Sequence, residues 1–322
     1  MSAFNARIAG TGSYLPEKAV TNEELEQQLD TSDEWISGRT GIKKRHIAAS
    51  NETASSMAEI AARAAIEAAG LTSHDLDLIL VATCTPDKIF PSVACLLQAR
   101  LAARFIPAFD IQAACSGFVY GLDIARQYIK AGAAKHVLIV GVELMSRILD
   151  WSDRRTCILF GDGAGAVVVS ASDEEGILSV HLGADGSNPE LLNLPIALPH
   201  QAGVGVSMTV NMSGHDVFKF AVNTLGRMIK KEMDYMEEHG LKLDWLVPHQ
   251  ANLRIIDAAA KKLGLSMDQV IVTIGEHANT SSASIPLALD TAIRDGRIHR
   301  GQVLLLEAFG AGFTWGSALV RY

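Results

Sequence analysis

Cysteine is scarce in this chain and is not arranged to build anything structural. The 322 residues carry four, Cys84, Cys95, Cys115 and Cys157. None forms a CxxC pair, which excludes the common zinc and redox spacings, and the density is far below that of a disulfide scaffold. A basic excess is also missing. Against 36 Asp and Glu stand 28 Lys and Arg, for a net charge of −8. An acidic chain has no overall field with which to bind nucleic acid. No stretch approaches the roughly 18 uninterrupted apolar residues of a membrane span. The opening MSAFNARIAGTGSYLP lacks the charged-then-apolar pattern of a secretory segment. These absences predict a cytoplasmic protein with free thiols and no metal site.

What is present is ample core material, 48% hydrophobic residues against 20% charged. The length suits one large domain or two fused ones. Residues 6–12 read as a strand. Thr31 and Glu34 have capping-box spacing, so a short helix is expected from Thr31, with Trp35 and Arg39 four apart on one face. An alanine-rich helix over 53–69 stops at Gly70, and a strand over 76–82 runs into the loop CTPDKIFPS. The apolar run Ile106–Ile111 reads as a buried strand. It gives way to helical spacing at Phe118, Leu122, Ala125 and Ile129, closed by Gly132. The strand HVLIVGVEL (136–144) follows, then FGDGAGAVVVSA (160–171).

The second half repeats this order. A long amphipathic helix over 216–238 precedes the strand LDWLV (243–247). Residues 279–296, NTSSASIPLALDTAIRDG, match 115–132, CSGFVYGLDIARQYIKAG, and each segment precedes an apolar strand. FGAGFTWGSALVRY closes the chain as FGDGAGAVVVSA closes the first half. Strands alternating with helices argue for a layered α/β architecture built from two similar halves, 1–172 and 173–322. GDGAG at 161–165 resembles a phosphate loop, but its repeat partner GAGFTWG favours tight turns between strands.

Cys115 falls where a strand hands over to a helix. The free N–H groups and partial positive charge of the helix N-terminus favour thiolate, lowering a pKa that is ordinarily about 8.5. A buried structural cysteine fits the same pattern. Asn279 holds the equivalent place in the second half, where it also reads as a helix N-cap. The end of LDWLV delivers His249, which on its own reads equally as a polar loop residue. Packed as a pseudo-dimer, the halves would bring Cys115, His249 and Asn279 into one site. A thiolate, an imidazole and an amide suit acyl transfer followed by stabilisation of a developing oxyanion.

TSDEWISGRTGI, DIQAACSGF, FGDGAGA, VPHQAN, HANTSSASIP and EAFGAGFTWGSALVRY together resemble the β-ketoacyl-acyl-carrier-protein synthase III family. The resemblance runs from the first strand to the last residue. It implies the thiolase-like fold, with two duplicated α/β halves in α-β-α-β-α layers. It implies a ping-pong reaction initiating type II fatty-acid synthesis. Cys115 takes an acyl group from acyl-CoA, malonyl-acyl carrier protein loses carbon dioxide, and its carbanion attacks the acyl-cysteine. His249 and Asn279 would stabilise the enolate, and the backbone N–H groups of Cys115 and Ala311 would form an oxyanion hole. Ala311 stands where the family usually has glycine.

The resemblance also implies coenzyme A contacts at Thr31, Trp35, Arg39, Arg154, Gly214, Phe218, Ala251, Asn252 and Arg254, with the adenine between Trp35 and Arg154. No resident cofactor is expected, the coenzyme A thioester being a substrate. Met145, Phe160, Leu194 and Val210 would shape the acyl pocket. Phe90 would enter that pocket from the partner of a homodimer. Lys219, Arg254, Lys261 and Lys262 are candidates for docking the acidic carrier protein. Arg155 falls where relatives often have glycine.

Two rivals remain. A paralogous condensing enzyme with a different acyl primer would keep the same triad. A papain-like cysteine protease also orders Cys, His and Asn. It would show a C-G-[SA]-C-[WY] signature, a secretory segment and a disulfide framework, and this sequence has none of them. A non-catalytic binding protein would not need all three residues.

Overall fold

The computed structural model describes residues 5–196 and 208–322. Strands of this chain are long apolar runs because most are covered on both faces. Every residue from Val137 to Leu144 is buried, as is all of Leu78–Ala82. We number the strands of the two large sheets and the principal helices in chain order. The first sheet holds β1 (Asn5–Tyr14), β2 (Leu78–Ala82), β3 (Ala108–Ile111), β4 (His136–Leu144) and β5 (Asp162–Ser172) in the order β1-β5-β4-β2-β3. The second holds β6 (Ile177–Ala184), β7 (Trp245–Pro248), β8 (Val303–Gly310) and β9 (Thr314–Arg321) in the order β7-β8-β9-β6. The series β2-β4-β5-β1 and β7-β8-β9-β6 share one pattern: a parallel pair, then two antiparallel pairs.

Helices α3 (Gly117–Lys130) and α6 (Ser284–Arg294) lie between the sheets. Phe118, Leu122, Ala125 and Ile129 of α3 share one core with Ile285, Ala288, Leu289 and Ala292 of α6. Leu80 and Ile139 close that core from the first sheet, Leu304 and Leu306 from the second. Helix α2 (Ala54–Ala68) covers the outer face of the first sheet. Helices α4 (Gly214–Glu238) and α5 (Leu253–Leu263) cover the outer face of the second. The result is five layers, α-β-α-β-α.

Local signals held where they agreed with this layering. Thr53 caps α2 through the Ser56 N–H, and Gly70 beyond its end takes φ +69°. Three readings need correction. Helix α1 (Asp33–Thr40) is capped by Ser32, whose hydroxyl accepts the Trp35 N–H at 3.1 Å, not by Thr31. The Glu26 carboxylate from the preceding segment takes the Asp33 N–H, so no Thr31–Glu34 box forms. GDGAG is not a turn, because Asp162–Gly165 lie within β5. A Cβ on Gly165 would stand 2.6 Å from the Leu287 nitrogen, so these glycines let α6 approach the strand. The strand entering the Cys115 turn is β3, an edge strand of four half-buried residues rather than a buried one.

Candidate active site

Parallel strands β2 and β3 end side by side, and the loops beyond them carry Cys84 and Cys115 into one cavity. Cys115 lies in a short 3₁₀ turn, Ala114–Ser116, one step ahead of α3. Ala114 takes φ +45°, so the turn is sharp. A latch to the β8–β9 turn holds it. The Ser116 hydroxyl lies 2.7 Å from the Thr314 hydroxyl, which reaches the carbonyls of Ala113 at 2.9 Å and Ala311 at 3.1 Å. Gly310 presses directly on the nucleophile. A Cβ there would fall 2.6 Å from the Cys115 nitrogen.

The expected lowering of the thiol pKa is reversed in this site. Burial pushes the Cys115 thiol up to about 12. The Ser281 side chain opposes that rise by hydrogen bonding to the sulfur, and the nearby Glu143 carboxyl adds to it. Desolvation of the anion is the largest influence on this thiol and outweighs the hydrogen bond from Ser281.

Strand β7 ends at Pro248 and hands over to His249, whose backbone N–H donates to Glu307 O at 2.7 Å. Gln250 fixes the loop beyond. Its amide nitrogen donates to Pro248 O and Ile271 O, and its oxygen accepts the N–H groups of Thr273 and Ile274. Burial pushes the His249 imidazole down to about 3, so it is neutral at neutral pH. Asn279 is held by a backbone bridge to Phe160. Its Oδ1 accepts the Ser281 N–H at 2.8 Å, which leaves the amide NH₂ for the cavity.

Cys115, His249 and Asn279 line one cavity of about 110 Å³, together with Gly214, Phe218, Ala251 and Asn252. A second cavity, of about 610 Å³, opens on the other side of Cys115. Met145, Phe160, Leu194, Val210 and Ala311 line it, with Cys84 and Gly312. Cys115, Phe160 and Leu192 border both. Cys115 therefore stands between a wide apolar chamber and a narrow passage lined by His249 and Asn279. Of the acyl-pocket candidates, Phe90 alone is elsewhere, 82% exposed on the surface.

The remaining coenzyme A candidates gather beyond the narrow cavity, around α1. Arg39 lies 4.9 Å and Arg154 5.7 Å from the centre of the Trp35 ring. Arg154 also bonds the Asp30 carbonyl and carboxylate. Asn252 reaches Arg39 O and Arg254 reaches Gly38 O, tying α5 to α1. Thr31 sits just ahead of α1 with its hydroxyl buried and unpartnered. Arg155 forms a local pair with Asp153 and has no part in this cluster. Among the docking candidates, Lys261 pairs with Asp257 and Lys262 donates to Val222 O, while Lys219 and Arg254 have no carboxylate partner among the described residues.

Sequence reasoning missed Cys84, Glu143, Ser281 and Ser284. Glu143 is fully buried and takes the Cys84 N–H at 3.0 Å and the Thr85 and Ser281 hydroxyls at 2.8 and 3.0 Å. It thereby ties the loop after β2 to the Ser281 turn ahead of α6. A lone Glu inside an apolar strand was the signal for it. Cys84 was legible from its place at the end of a parallel strand. Among the described residues no group of His, Cys, Asp and Glu side chains could hold a metal ion, and no helix is long and apolar enough to cross a membrane.

The family model for 3-oxoacyl-[acyl-carrier-protein] synthase III matches residues 109–186, and that for its C-terminal part matches 234–322. The β-ketoacyl-[acyl-carrier-protein] synthase III of Methylococcus capsulatus is 60% identical, with both chains covered completely. The chain belongs to this family. It is an acyltransferase of the condensing type. Among solved structures, the synthase III of Aquifex aeolicus superposes with a TM-score of 0.91 at 48% identity, covering 99% of this chain and all of the other. The priming β-ketosynthase of the R1128 polyketide pathway also reaches 0.91, at 37% identity, covering 99% of this chain and 96% of its own. The family and its thiolase-like fold remove the protease reading.

Proposed function

We propose that this chain joins an acyl-CoA primer, acetyl-CoA, to malonyl-acyl carrier protein, giving a 3-oxoacyl-acyl carrier protein and carbon dioxide and so initiating type II fatty-acid synthesis. The single observation that carries the reading is the meeting of Cys115, His249 and Asn279 at one cavity, with an apolar chamber on the far side of the sulfur. Cys115 attacks the thioester carbonyl, its thiol proton ending on the sulfur of the departing coenzyme A, and the N–H groups of Cys115 and Ala311 take the negative charge on the carbonyl oxygen. Coenzyme A leaves through the narrow passage, with its adenine against Trp35 and its phosphates near Arg39 and Arg254. The malonyl group then enters by the same route. His249 and Asn279 donate hydrogen bonds to its thioester oxygen as carbon dioxide departs, and the carbanion attacks the acyl-cysteine.

No step calls for a resident cofactor. We read residues 1–172 and 173–322 as the two halves, the first supplying the nucleophile and the second the donors. The enzyme is placed in the cytoplasm, where its substrates are made. It acts as a homodimer in which Phe90 of one chain closes the acyl chamber of the other. Lys219, Arg254, Lys261 and Lys262 dock the carrier protein, Lys261 being the one of the four already paired with a carboxylate among the described residues, that of Asp257. A second reading has one specific support, the polyketide-priming relative, whose match is as close in shape. That reading changes the primer alone.

The partial reactions test the roles. Cys115→Ser abolishes acyl loading from acetyl-CoA. His249→Ala and Asn279→Ala keep loading within a few-fold and lower malonyl decarboxylation on the order of 10²-fold or more, as when one oxyanion donor is removed. Equal loss of both partial reactions in the His249 and Asn279 variants contradicts the assignment.

A further inference from the structure

The first residue of α6, Ser284, is buried and has no place in the reaction described above. Its hydroxyl lies 2.6 Å from His249 Nδ1. It also receives the Gln250 N–H at 3.4 Å. No other acceptor lies within hydrogen-bond reach of that hydroxyl among the described residues. We propose that Ser284 is the positioning residue for His249: it donates its hydroxyl proton to Nδ1, holds the ring in the Nε2–H form, and so aims a neutral N–H donor at the reacting oxygen.

The argument is a count of donors and acceptors. A neutral imidazole has one N–H and one bare nitrogen. Burial keeps His249 neutral, so one of two tautomers must be chosen. Were the proton on Nδ1, it would donate to Ser284, which already receives the Gln250 N–H. The serine proton would then be buried with nothing to bond, an arrangement that costs about 1–3 kcal/mol. With the serine donating, every group is used. Gln250 cannot turn away to relieve the alternative, because four hydrogen bonds hold its side chain. Nδ1 is engaged from within the protein, so Nε2 is the nitrogen left for the cavity that holds Cys115 and Asn279. A neutral donor of this kind works without a proton being taken up first. Decarboxylation should therefore show no titration near pH 6.5.

The proposal rests on the assignment of His249 as a donor to the malonyl thioester, and the test separates the two. The ring-nitrogen chemical shifts of ¹⁵N-histidine-labelled wild-type protein, assigned by comparison with His249→Ala, should show His249 protonated on Nε2 alone at neutral pH. A ring protonated on Nδ1 alone, or on both nitrogens, overturns the proposal. Ser284→Ala should lower malonyl-acyl carrier protein decarboxylation on the order of tenfold to a hundredfold, the range seen when a group orienting a functional imidazole is removed. Acetyl loading of Cys115 should stay within about twofold, and Ser284→Thr, which keeps the hydroxyl, should restore decarboxylation. Equal losses in both reactions, or no loss in either, overturn the positioning role. A wild-type protein that loads acetyl groups but never decarboxylates malonyl-acyl carrier protein defeats the function itself rather than Ser284.

Discussion

Glu307 follows Leu306 on β8, and its backbone carbonyl accepts the His249 N–H. Its carboxyl is buried with Oε2 unpartnered, and burial pushes its pKa up to about 8, Lys262 opposing and Glu232 adding. The native state thus holds a proton that the unfolded chain gives up above its ordinary value of about 4.5. The stabilisation is fully present below pH 4.5 and is lost as pH rises through about 8. Glu307→Gln keeps the shape and removes the titration. Its melting temperature, relative to wild type, should be higher at pH 9 than at pH 5, read by calorimetry at both. An unchanged difference would show that Glu307 is ionised in the fold. Buried histidines act at the acid end. His249 is pushed down to about 3 and His277 to about 4, so below pH 6.5 the unfolded chain binds protons the native state refuses. Stability is lost as pH falls from 6.5 through 4.

At the scale of elements, the nucleophile turn and the β8–β9 turn form one unit. Gly310 permits their contact, and the Ser116–Thr314–Ala113 latch holds it. Gly310→Ala would force a methyl to within 2.6 Å of the Cys115 nitrogen. Overpacking of this kind costs about 1–3 kcal/mol. The strain falls on the amide proposed for the oxyanion hole, so acyl loading should drop by more than about tenfold while the protein still folds. Loading at the wild-type rate would contradict the contact. The same elements show what was legible in the chain. Helices with one apolar face and a terminal glycine, such as α2 and α3, stood out because local and global signals agreed. The cap of α1 did not, because Thr31 and Ser32 are both competent and Glu26 from another segment decides between them. The glycines of β5 looked like a turn because their purpose is the close approach of α6, far along the chain. That Cys115, His249 and Asn279 would meet at one cavity was legible, the first and last from matched repeat positions and His249 from the end of LDWLV. The Cys115 thiol was misjudged, since burial is set by residues that no local window contains.

At the scale of the whole molecule, the first sheet is open, and β3 is one of its two edge strands. Strand β3 ends the first sheet with half-buried residues, and among the described residues no strand pairs with its outer edge, a feature that invites another chain. Ile89, Phe90 and Phe105 are exposed on the described surface, the last two at 82% and 106%. These exposed apolar side chains are where the proposed dimer would bury surface. Sedimentation should give twice the chain mass of 34.4 kDa, and Phe105→Asp should shift the protein toward single chains. A wild-type protein that sediments as one chain at micromolar concentration would contradict the dimer. The fold explains why the site needs no loop brought from afar. Helices α3 and α6 pack together between the two sheets, so the turns ahead of them bring Cys115 and Asn279 to one cavity, and β7 ends beside them with His249.

The central claim is that Cys115 carries the acyl group between two substrates. Intact-protein mass after incubation with a panel of acyl-CoA thioesters, followed by peptide mapping, tests it most directly. The account predicts one acetyl group, placed on Cys115 and on none of Cys84, Cys95 or Cys157, and released when malonyl-acyl carrier protein is added. An acetyl group on Cys84, or no adduct on Cys115 from any thioester, would contradict it.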